Sequence, residues 1–169
     1  GLTSMLSRSY FPSSTIHCYE PNTDLEKFLE TNSKNANFKY FLEAVGGKSG
    51  MVKLNIDNNQ SVLSSISSEE IGTTKQISFK EALERFGNIS VDIVKMDCEG
   101  SEWEILDNVE SWKNIKFITM EYHLGIDNYD HNKIIKALDN IGFKIISEIE
   151  NSNEYNYGIA VAYNKNILI

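Results

Sequence analysis

The chain has 169 residues, 41% of them hydrophobic, which is enough for one domain with a two-faced core and too little for two. Its formal charge of −8, with no Lys/Arg cluster, opposes binding along a phosphate backbone, so nucleic acid is not an expected partner. No apolar run reaches the roughly 20 residues of a membrane span and no charged-then-apolar leader opens the chain, so the expectation is a soluble, cytoplasmic protein with no membrane partner. Cys18 and Cys98 each fall at a predicted strand end and read as small buried side chains rather than a disulfide or metal pair.

Thr15 to Tyr19 is a short β-rich run that Pro21 stops, after which Leu25, Phe28 and Leu29 recur at helical spacing and Thr23 with Glu26 fits a capping box. Tyr40 to Val45 reads as the next strand, ending at Gly46 and Gly47, with Met51 to Ile56 as its antiparallel partner or extension. The Ser- and Asn-rich segment Asp57 to Thr74 is expected to be a long loop, either over a substrate pocket or disordered. Ser78 and Glu81 make a second capping box before Phe79, Ala82, Leu83 and Phe86, which share one helical face, and Gly87 ends that helix.

The stretch Val91 to Leu106, VDIVKMDCEGSEWEIL, carries most of the chemistry. Val91 to Met96 reads as a buried parallel strand, Gly100 as a turn, and Trp103, Ile105 and Leu106 as the inner side of a helix. Ligands of open α/β sheets sit beyond the carboxyl ends of strands, which puts Asp97 and Glu99 at the usual site while Glu102 enters the first helical turn. The competing reading is that acidic groups in a first turn merely complement the helix dipole. Lys116 to Tyr122 is strand-like and delivers Glu121 and His123 to its end; Asn132 to Asn140 is a helix closed by Gly142. Phe143 to Ile149 and Gly158 to Tyr163 form a closing hairpin around Glu150 to Asn156. Strands alternating with helices, then a hairpin, mean an α/β fold with a mostly parallel sheet.

Four blocks in order, YEPN (Tyr19 to Asn22), EAVGG (Glu43 to Gly47), Thr73 to Ala82 and KMDCEGSE (Lys95 to Glu102), resemble the FkbM family of S-adenosylmethionine-dependent methyltransferases. The resemblance implies a Rossmann-like class I methyltransferase sheet with an antiparallel C-terminal hairpin, S-adenosylmethionine as cofactor, and methylation of a hydroxyl on a sugar or other small metabolite. It implies that Glu20, with Pro21 and Asn22 beside it, meets the two ribose hydroxyls, and that Ala44 and Val45 border the adenine. Asp97, with Glu99 close by, would lie near the methionine end. There it could orient the amino group or take the acceptor's proton. Glu121 and His123 are further candidates for proton transfer, His123 as a base near neutral pH, whereas a lone histidine is more often a structural hydrogen bonder. Asp97, Glu99, Glu121 and His123 could also ligate a cation, but no spacing demands it and no metal is assigned.

The family's first strand and glycine-rich loop are not found in these residues; Gly1 to Ser7 resembles the last glycine of that loop and the start of its helix, which places Gly1 among the cofactor contacts. The expectation is that Thr15 to Tyr19 and Val91 to Met96 lack a shared neighbour and that this polypeptide alone binds cofactor weakly. Two other readings stand beside this one. A nicotinamide-dependent oxidoreductase also places a carboxylate after its second strand, and a noncatalytic Rossmann-like module would keep the architecture without the chemistry.

Overall fold

The computed structural model describes residues 1–56, 64–67, 72–87, 89–98, 100–124, 131–151 and 157–167. Helix α1 (Leu2–Tyr10) leads to strand β1 (His17–Tyr19), a 3-10 turn (Thr23–Leu25) and α2 (Glu26–Ala36). Short strands β2 (Lys39–Phe41) and β3 (Ala44–Gly46) follow, then β4 (Gly50–Ile56), β5 (Ser64–Ser67), β6 (Thr74–Ser78) and α3 (Phe79–Glu84). The second half runs β7 (Val91–Met96), α4 (Glu102–Leu106), a 3-10 turn (Val109–Trp112), β8 (Ile115–His123), α5 (His131–Asn140), β9 (Phe143–Asn151) and β10 (Tyr157–Asn164).

The strands lie in three hydrogen-bonded ladders, β1-β2, β3-β6-β4-β5 and β7-β8-β10-β9. Pairing is parallel at β1–β2, β3–β6 and β7–β8, and β10 runs antiparallel between β8 and β9, giving the expected α/β fold with its C-terminal hairpin. The main core fills one side of the third ladder: Trp112, Ile118, Tyr122, Ile134, Leu138 and Ala160 are each 0% exposed. Strand β8 alternates accordingly, with Ile118, Met120 and Tyr122 buried and Thr119, Glu121 and His123 half-buried on the other face.

Several local expectations need correction. The capping box at Thr23 and Glu26 does not form; Asn22 Oδ1 instead accepts the Asp24 N–H at 2.9 Å and caps a 3-10 turn. Leu29 is 2% exposed but Phe28 is 66% exposed, so the apolar stripe of α2 is narrower than its spacing suggested. Tyr40 to Val45 is not one strand: the chain bends at Leu42 and Glu43, and β2 and β3 join different ladders. Strand β6 lies between β3 and β4, so Met51 to Ile56 pairs with β6 and β5 and not with β3. Part of the expected loop Asp57 to Thr74 is strand β5, in register with β4 from Lys53↔Ser67 to Ile56↔Ser64; residues 57–63 and 68–71 lie outside the described residues. Strand β7 is an edge and not a buried strand, with only Met96 buried and Ile93 44% exposed. Among the described residues β1 pairs only with β2 and β7 only with β8, so the two share no strand neighbour.

Candidate active site

The β7–β8 register pairs Met96 with Met120, so Lys95 and Asp97 on one strand and Glu121 and His123 on the next project to the same face at the strands' carboxyl ends. Lys95 Nζ lies 2.7 Å from Asp97 Oδ2. Two positions apart on a strand means one face, so this pair was readable from sequence, yet only Asp97 was singled out. Burial raises the Glu121 carboxyl above the ordinary range, and the neighbouring charge of Asp97 adds to that; His123 and Lys95 act in the opposite direction. The His123 Nε2 atom is 3.7 Å from Glu121 Oε1.

Below this group lies Glu102, which is wholly buried. It stands in the first turn of α4, but its carboxylate does more than complement a dipole. Gly100, at φ 105°, occupies a conformation that side-chain-bearing residues avoid, and this turn aims its N–H at Glu102, 2.9 Å from Oε2 and 3.2 Å from Oε1. The Cys98 N–H donates to Oε1 at 3.0 Å. The same Oε1 lies 3.3 Å from His123 Nδ1, while Trp103 Nε1 donates to the His123 carbonyl at 3.2 Å. One carboxylate therefore ties the turn after β7 to the end of β8. The half-buried Cys98 thiol beside it is pushed up to about 12, first by desolvation and then by Glu102, so it stays protonated. Both cysteines are free thiols, and Cys18 is half-buried.

Glu20 follows β1, where its N–H donates to the Phe41 carbonyl and its Oε1 accepts the Asn22 N–H, both at 3.0 Å. The carboxylate thus stabilises its own Glu20–Pro21–Asn22 turn. Gly1 caps α1 and packs against α2, where an added Cβ would meet Leu29 at 3.0 Å. Ala44 and Val45 lie within β3. Ala44 is 2% exposed and Val45 packs on the core. Beside them Glu43 binds Lys75 Nζ at 2.6 Å and Arg85 Nη2 at 2.7 Å; burial opposes its ionisation, but these partners outweigh it and hold its pKa below the usual range. The Arg85 guanidinium stands 4.2 Å over the Phe41 ring and 5.4 Å over Tyr19, an arrangement that sequence reasoning missed because its members come from four elements. His17 stacks on Phe86 at 3.9 Å, and its pKa is lowered chiefly by burial.

The structure thus gathers Asp97, Glu121 and His123, and adds Lys95 and Glu102 to them; Glu20, Pro21 and Asn22 follow the separate β1–β2 ladder, and Ala44 and Val45 stand in the β3-β6-β4-β5 ladder. Glu99 and the segment Gly125 to Asp130 lie outside the described residues. Among the described residues no three His, Cys, Asp or Glu side chains come together in a metal-holding group. A groove of about 400 Å³ between α5 and β9, lined by Ile135, Asp139 and Phe143 among others, shares no residue with the cluster.

A family model for the methyltransferase FkbM domain matches residues 7–145. Hexuronic acid methyltransferase AglP of Haloferax volcanii is 29% identical over 126 residues, covering 71% of this chain and 52% of the relative, so the chain spans about half that protein's length. The fibrillarin pre-rRNA processing protein of Methanococcus jannaschii shares the fold with a TM-score of 0.51 at 16% identity, covering 89% of this chain and 56% of that one.

Proposed function

Because the chain belongs to the methyltransferase FkbM family, we propose that it transfers a methyl group from S-adenosylmethionine to a hydroxyl oxygen of a sugar or other small hydroxylated metabolite. The observation that carries this reading is the shared face of Lys95, Asp97, Glu121 and His123 at the carboxyl ends of two parallel strands, the usual ligand position in open α/β sheets. The donor set fits the cofactor: carboxylates suit a cationic sulfonium and ammonium, and a two-oxygen acceptor after β1 suits a pair of vicinal hydroxyls. Bound S-adenosylmethionine supplies an electrophilic methyl group.

In this reading Glu20, with Pro21 and Asn22, holds the ribose hydroxyls, and Ala44 and Val45 border the adenine. Asp97 and Glu99 face the methionine end, and Gly1 belongs to the same contact surface. Glu121 and His123 accept the proton that the acceptor hydroxyl releases, a task suited to a carboxyl already held above the usual carboxylate range. Alignment of the acceptor oxygen contributes more than base strength, because the methyl donor is intrinsically reactive. Among the described residues β1 pairs only with β2 and β7 only with β8, which leaves their other edges open beside the proposed cofactor site. The similarity to AglP, a hexuronic acid methyltransferase, supports a sugar acceptor, and the charge of −8 disfavours RNA.

The test is transfer of radiolabelled methyl groups by the full-length gene product to a panel of hexuronic acids, neutral sugars and structured RNA. Label is expected in a hydroxylated small molecule as an alkali-stable ether. Label in RNA alone would overturn the acceptor assignment.

A further inference from the structure

We propose that Glu102 is the positioning residue for His123: it fixes the ring proton on Nδ1 and so presents Nε2 as the atom that takes the acceptor hydroxyl's proton, a role that rests on the methyltransferase reading above. The geometry supports this from both sides of the carboxylate. Glu102 is 0% exposed, and its oxygens already accept the N–H groups of Cys98 and Gly100 at 2.9 to 3.2 Å. Toward the ring, an oxygen so occupied acts as an acceptor, so the Nδ1 facing it at 3.3 Å carries the hydrogen. Nε2 then points to the side of Glu121, which at 3.7 Å lies beyond hydrogen-bond distance and does not set the tautomer.

The ring has little freedom to choose otherwise. Trp103 Nε1 holds the His123 carbonyl at 3.2 Å, and the His123 side chain is only 15% exposed. In the transfer step the acceptor O–H bond breaks and an Nε2–H bond forms, while the electron pair stays on oxygen. The resulting imidazolium is stabilised by a carboxylate that needs no reorganisation, because backbone N–H groups already hold it in place. Sequence reading placed Glu102 in a helix turn and His123 at a strand end without connecting them, since the connection depends on how β8 lies beside the turn after β7.

The experiment is long-range proton–nitrogen NMR of the imidazoles in the unmodified protein and in Glu102→Gln, on the alkaline side of the histidine titration. His123 is expected as the Nδ1–H tautomer in the unmodified protein. In Glu102→Gln the amide oxygen takes the Oε1 place, where it accepts the Cys98 N–H and faces Nδ1, so the ring keeps Nδ1–H and loses only the charge that stabilises its imidazolium. Methyl transfer should then fall about 10²- to 10⁴-fold in kcat with KM for S-adenosylmethionine little changed, and Glu102→Asp should restore part of it. An Nε2–H tautomer in the unmodified protein overturns the proposal even if the variant fails to fold, as does an unaltered kcat in folded Glu102→Gln. If the unmodified full-length protein methylates nothing, the methyltransferase reading fails, and the tautomer still reports separately whether Glu102 controls the ring.

Discussion

Glu121 and Glu43 show how the same side chain serves opposite ends in one small molecule. Glu43, held by Lys75 and Arg85, has its pKa lowered, so its contribution to stability is present above the ordinary carboxylate value and lost as pH falls through the folded value. Glu121 has its pKa raised above 4.5, so in the window between that value and the folded one the native protein keeps a proton that the unfolded chain has lost. Stability therefore falls as pH rises through the folded pKa of Glu121. We expect Glu121→Gln to be more stable than the unmodified protein at neutral pH, with the gap closing as pH approaches 4.5, read from urea midpoints at each pH. A gap independent of pH would show that the Glu121 carboxyl is not strained by its surroundings. Strand alternation alone put Glu121 and His123 on one side, and that much was legible in the sequence. The Glu102 carboxylate was not, because its partners are backbone N–H groups that become available only when Gly100 adopts its left-handed turn.

At the scale of elements, one of the two capping boxes read from sequence forms, and strand pairing was read less well. The box at Ser78 and Glu81 forms in both directions, because both of its hydrogen bonds close within one turn of chain. The edge position of β7 and the insertion of β6 between β3 and β4 depend on contacts far apart in sequence, which an apolar pattern does not encode. The closing hairpin combines both kinds of information. In its register Gly158 faces Tyr122, and an added Cβ at Gly158 would fall 2.3 Å from the tyrosine hydroxyl, which itself donates to Glu148 Oε1 at 2.7 Å. The Tyr122 ring is 0% exposed and has no room to swing away. Gly158→Ala should cost about 1–3 kcal/mol by thermal or urea unfolding, although alanine suits a strand better than glycine does. An unchanged midpoint would mean that the tyrosine ring does not lie over β10. The same substitution tests the site indirectly, since Tyr122 sits between Glu121 and His123.

For the whole molecule, the net charge of −8, the three ladders and the grouped side chains agree with a methyltransferase family whose members use a small cationic methyl donor in our reading. No helix among the described residues is long and apolar enough to cross a membrane. The third ladder gathers Asp97, Glu121 and His123 from positions close together at the ends of two paired strands. Glu20 follows the first ladder and Ala44 and Val45 lie in the second, where β3 packs against α3 and α4. Asp97, Glu121 and His123 could be grouped from sequence as polar groups at strand ends, and Lys95 from its place two positions before Asp97, while Glu102 joined them only in the structure. The central claim is that the carboxylates after β1 and β7 serve one cofactor, and calorimetric titration of the full-length gene product with S-adenosylhomocysteine tests it most directly. Glu20→Ala and Asp97→Ala should each weaken binding at least about tenfold, the loss of one charge-assisted hydrogen bond. Undiminished affinity in both folded variants would contradict the account.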